Sequence, residues 1–160
     1  MYDALLDPEL DDDTTQTRTR VSDDFADDGI ADDLDELIEE VQDLAGRHRD
    51  AYESRLQVII EHLLKLTYAP DPIYRNNERG WRNTISRERD NIERLLHRNA
   101  GAARDKDEAR VNAFKYGLRE IERTCDDFGA IDWPQVCPWT LEQLLDPDFF
   151  PAGGSNRGAE

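Results

Sequence analysis

From Leu34 to Leu66 apolar residues recur at spacings of three and four, the period of a helix face and not of a strand, whose side chains alternate every second residue. Leu34, Leu37, Ile38, Val41, Leu44 and Ala45 form a first run, and after Gly46 the pattern resumes with Tyr52, Leu56, Ile59, Leu63 and Leu66. One long bent helix or two collinear ones would both satisfy it. Asp32, Asp33, Asp35 and Glu36 lie at the start, where the positive end of a helix dipole favours carboxylates. Ala69-Pro70-Asp71-Pro72 ends the pattern, because proline supplies no amide donor and restricts the residue before it.

The remaining punctuation is helical too. After a polar loop to about Asn77, Trp81, Ile85, Ile92, Leu95 and Leu96 mark a second amphipathic helix that ends at Asn99-Ala100-Gly101. A third, over residues 104–126, is expected to bury Ala113, Phe114, Gly117, Leu118, Ile121 and Cys125. Thr140 with Gln143 three positions on has the form of a capping box opening a short helix through Leu145, which Asp146-Pro147 closes. No useful stretch alternates as a strand would. The expected fold is all-α, an up-and-down antiparallel helical bundle over residues 31–151 as one domain. Residues 1–30 read as a flexible acidic arm with a short helix possible at 21–25, and residues 152–160 as a flexible tail.

Charge is unevenly distributed. The 160 residues carry 37 acids and 20 bases, a net charge of −17. Residues 1–46 hold 17 acids and 2 bases, residues 47–110 hold 11 acids and 14 bases, and residues 111–160 hold 9 acids and 4 bases. An acidic block on a mildly basic middle usually means a solvated tail. Arg75, Arg79, Arg82, Arg87, Arg89, Arg94 and Arg98 cluster in that middle, but interspersed acids leave a small local excess, so nucleic acid is a disfavoured partner. The start of the chain has neither the basic stretch nor the apolar run of a secretory signal, and residues 56–66 are too short and too charged to span a bilayer. The expectation is a cytoplasmic protein with no membrane partner, in which Cys125 and Cys137 are reduced thiols.

Polar residues inside the apolar stripes are the candidate site. With about 100° of rotation per residue, Arg55 and His62 fall within the arc from Val58 to Leu56, whereas Ser54, Gln57 and Glu61 lie opposite and Lys65 borders it. On the next helix Glu88 falls in the middle of the stripe formed by Ile85, Ile92 and Leu95. A carboxylate buried alone costs several kcal/mol or takes up a proton. An antiparallel hairpin brings Glu88 within about one turn of Arg55, so an Arg55–Glu88 ion pair, shared with His62, is expected. If the cluster opens to solvent, Arg55, His62, Lys65 and Glu88 are the candidates for anion binding or acid–base catalysis. His48 reads as a boundary residue and His97 as surface. Metal and cofactor are not expected: no histidine is preceded by a glutamate three positions earlier, and no HExxH, phosphate-binding glycine loop, GxSxG or calcium loop occurs.

Four blocks in order, DELIEEVQDLAG, SRLQVIIEHLLKLTYAP, WRNTISRERDNIERLL and CPWTLEQLLDPDFFP, together resemble the bacterial domain of unknown function family 29 over residues 34–151. The resemblance implies a compact helical bundle and supplies no activity, substrate or cofactor. Two departures stand out. The aromatic-rich opening usual in that family is replaced by acidic, Thr-rich sequence after Tyr2-Asp3, and the serine usual after the glycine is replaced by Arg47-His48-Arg49, which favours an unbroken helix. The preferred function is a non-enzymatic module that binds another protein, with the acidic arm and residues 133–150 as contact elements. A small enzyme or anion-binding protein is the alternative, and a nucleic-acid-associated protein the second. Oligomeric state is not encoded in any motif.

Overall fold

The structure, a computed structural model, describes residues 29–152. The arm before residue 29, the short helix at 21–25 and the tail beyond 152 lie outside the described residues. Among those described there are four α-helices and no strand: α1 Ala31–Tyr68, α2 Asp71–Arg98, α3 Lys106–Thr124 and α4 Leu141–Leu145, with 3-10 turns at Ala100–Ala103 and Asp126–Phe128. Helix α1 continues through Gly46 without a break. By contacts the chain divides into two units, one ending at Leu44 and the other beginning at Ala45.

The unit beginning at Ala45 contains the core. Tyr52, Leu56, Ile59, Ile60, Leu63, Leu64 and Leu66 of α1 are buried with Ile85 and Ile92 of α2, Ala113, Phe114 and Ile121 of α3, and Trp139 and Leu144 beyond it. Full burial of each large aliphatic is worth about 1.5–3 kcal/mol. That face, and not intrinsic propensity, holds the helices in place. The α1–α2 connection is only Ala69-Pro70, so the two helices form an antiparallel hairpin in which Arg55 meets Glu88. Helix α3 runs beside α1 in the same direction, since Asn112 donates to Glu53 at 3.4 Å and Gly117 lies against Gln57 and Glu61. The result is the up-and-down bundle expected from the periods.

One boundary differs. The polar stretch after Pro72, read as a loop, is helical from Asp71. Pro72 sits in the first turn, where a missing amide hydrogen costs nothing, and Pro70 is extended just before it. The expected capping box is present: Gln143 N donates to Thr140 Oγ1 at 3.2 Å and Thr140 N donates to Gln143 Oε1 at 3.0 Å. Residues 133–150, expected as contact elements, turn several aromatic and aliphatic side chains inward and leave residues 135, 136, 138, 140, 142 and 146–148 exposed. Trp133 packs edge-on to Tyr68, Trp139 and Leu144 are buried, and Phe150 lies under Arg82 and Arg89. They strap α2 and α3: Arg89 of α2 donates to the carbonyls of Gln143 and Leu144, and Arg110 of α3 donates to that of Trp139.

Candidate functional site

Helical register joins two of the four predicted site residues directly. Arg55 Nη1 donates to Glu88 Oε2 at 3.0 Å, and Glu88, 8% exposed, sits in the core edge while the Arg55 guanidinium reaches solvent. The expected sharing with His62 does not occur. His62 Nδ1 instead donates to the Val58 carbonyl of its own helix at 2.8 Å, and the second oxygen of Glu88 faces Arg87 Nε at 3.6 Å. A helix carbonyl four residues back lies within easy reach of a half-buried ring, so the local bond wins over the carboxylate across the interface. Burial holds the His62 pKa below the ordinary histidine value, with Lys65 and Arg87 pushing the same way against the Val58 bond and Glu88. Lys65 acts on both His62 and Glu61 through its charge, and burial raises the Glu61 carboxyl despite the bond from Gln57. The cluster therefore holds a neutral imidazole beside a compensated ion pair. His48 is half-buried and His97 exposed.

The residue that register reasoning passed over is Arg89. Its sequence position groups it with the basic cluster, but it is 5% exposed and its Nε and Nη2 donate to the carbonyls of Leu144 at 2.8 Å and Gln143 at 3.2 Å. Its guanidinium also lies 5.1 Å from the centroid of the Phe150 ring. At about 80° from Trp81 it falls one small step beyond Leu96, so the helical period did carry a signal. Of the other cluster arginines, Arg75 pairs with Asp71, Arg82 with Glu78 and Arg87 with Glu88.

A different surface stands out in the unit that ends at Leu44. Leu34, Leu37, Ile38, Val41 and Leu44 are each between 51% and 65% exposed. On a helix they occupy one arc of about 120°, and the acids of residues 31–46, seven with no base, fill the rest. Folded chains usually scatter exposed aliphatics singly, whereas here five share one stripe.

Comparison with known families places this arrangement. A model described as domain of unknown function DUF29 matches residues 28–150. The chain belongs to that family. Both the exposed stripe and the bundle therefore lie inside the DUF29 domain, so the stripe is not an appendage to it. No curated protein and no solved structure matches. Among the described residues of this DUF29 domain no helix is long and apolar enough to cross a membrane, and no group of three or more His, Cys, Asp or Glu could hold a metal ion.

One groove of the DUF29 domain is apolar. It encloses about 600 Å³ between α3 and residues 135–137. Val111, Phe114, Leu118 and Val136 supply its apolar lining, and Arg110, Lys115 and Arg119 its cations, with Glu122 as the acid. Val111 and Val136 are 57% and 74% exposed. Cys137 at its edge donates to the Trp139 carbonyl, and burial raises its thiol pKa, so it is a poor nucleophile. Both cysteines are free.

Proposed function

We propose that this DUF29 domain is a non-enzymatic protein-docking module whose recognition element is the apolar face of residues 34–44. The observation that carries the reading is that stripe of five large side chains, each more than half exposed on one helix face. Removing such a face from water is worth about 25 cal/mol per Å² before the costs of association are set against it. The chemistry also defines the partner. Seven acids and no base within residues 31–46 favour a groove that is apolar inside and edged by lysine or arginine, and they repel nucleic acid. A helix laid into such a groove through positions spaced three and four apart is an established mode of peptide recognition.

The test is site-specific photo-crosslinking of the full chain in its native cell, with the crosslinker at position 41 and, as a control, at the exposed position 83 of α2. The expected result is crosslinks from position 41 that converge on one protein surface, vanish in Leu34→Asp/Leu44→Asp and are absent from position 83. Equal yields from the two positions, or crosslinks indifferent to the aspartates, would sink the reading.

A further inference from the structure

The surface that fits this stripe is on the same chain. Resting on the docking reading above, we propose that the partner is a second copy: residues 34–44 of one copy seat in the groove between α3 and residues 135–137 of the other.

Three observations carry it. The chemistries are complementary, since the stripe is apolar with acids on its flanks and the groove is apolar with three cations, Arg110, Lys115 and Arg119, against one acid, Glu122. The lengths agree: at about 1.5 Å per residue, Leu34 to Leu44 covers about 15 Å and the α3 wall of the groove, Arg110 to Glu122, about 18 Å. One of the cations, Arg110, is also held in place before binding. Arg110 Nη1 donates to the Trp139 carbonyl at 3.0 Å, and Lys115 and Arg119 each lie 5.7 Å from the Tyr116 ring centroid. Preorganised charges lose less freedom on association.

Pairing of two stripes face to face is the rival arrangement. It would bring the acidic flanks of both helices together, and like charges set against each other at an interface are repulsive. Stripe into groove replaces that repulsion with attraction. The interface is then heterologous, two different surfaces of one chain, and the rotation between copies decides whether it closes into a pair or extends.

Sedimentation equilibrium of the full-length protein tests it with two variants. Leu37→Asp/Val41→Asp spoils the stripe and keeps the groove; Val111→Asp/Val136→Asp spoils the groove and keeps the stripe. All four positions are exposed, and circular dichroism checks that each variant is folded. Lys115→Glu/Arg119→Glu serves as a second groove variant. The wild type is expected to gain mass with concentration, each variant alone to associate at least about tenfold more weakly, and an equimolar mixture of the first two to associate again, because one supplies the groove and the other the stripe. A wild type that stays monomeric, a mixture that fails to associate, or a groove variant that still self-associates overturns the proposal. Those outcomes leave the docking reading intact if crosslinks from position 41 still converge on a different protein, whereas loss of that convergence removes both.

Discussion

Glu88 and Arg89 are neighbours of opposite charge, and each is buried for its own reason. Glu88 fell in the middle of an apolar stripe, so its need for a cation could be deduced and Arg55 found by counting turns. Arg89 fell at the stripe's edge, where the period does not separate a side chain that snorkels outward from one that reaches inward. Its task is set by a helix of five residues, far too short to persist alone. The capping box satisfies the first turn of α4, and Arg89 takes the carbonyls of Gln143 and Leu144 near its end. Arg89 Nη1 is buried without a hydrogen-bond partner, a cost of about 1–3 kcal/mol, against two charge-assisted bonds of about 1.5–3 kcal/mol each. Lysine cannot reproduce a fork that reaches two carbonyls and stacks on Phe150. Arg89→Lys should therefore destabilise the fold by about 2 kcal/mol in urea unfolding, with a red shift of tryptophan emission as Trp139 loosens. An unchanged midpoint would mean that α4 is held by its apolar contacts alone.

At the level of elements, the periods located α1, α2 and α3 and a capping box located α4, yet they could not say which faces are covered. Residues 34–44 and 52–66 carry the same pattern, but Leu56 and Leu63 are fully buried while Leu37 and Val41 are not. Coverage depends on where α2 and α3 lie, which is not a property of α1's own sequence. The early start of α2 was hidden because Pro70 and Pro72 read as breakers, and only their placement before and inside the first turn makes them compatible with a helix. The approach of α3 to α1 hinges on Gly117. A Cβ there would lie 3.3 Å from Glu61 Cγ and 3.5 Å from the Gln57 carbonyl. Alanine would gain about 1 kcal/mol of helix propensity against that crowding. Valine adds two methyls to a Cβ that already has three atoms of α1 within 3.6 Å, so Gly117→Val should destabilise by about 1–3 kcal/mol in thermal or urea unfolding. A neutral result would mean the two helices can part without loss.

Stability of the whole molecule should carry the signature of His62. Burial favours its neutral form, so the folded pKa lies below the ordinary value of 6.5. As pH falls, the unfolded chain takes up a proton first, so stability is fully present above that value and is lost as pH drops toward the folded pKa. Glu61 has the opposite sign, because its carboxyl is raised by burial: its contribution is present below the ordinary carboxylate value and fades as pH rises through the folded one. Comparison with a variant separates the two. The melting midpoint of the wild type should fall more steeply from about pH 7 to about pH 5 than that of His62→Gln. Parallel curves would show that the ring titrates as freely in the fold as out of it.

The clasp of Arg89 on residues 143 and 144 also orders events in time. The α1–α2 hairpin closes through a two-residue turn and needs only near contacts, which form quickly. The strap must be delivered from 54 and 55 residues further along the chain. During synthesis the hairpin therefore emerges and pairs while its Arg89 is still unengaged, and the bundle is completed only when the last quarter of the chain arrives. Once folded, the segment around this five-residue helix should open before the longer helices of the hairpin, so brief openings should admit proteases and deuterium there before the hairpin yields.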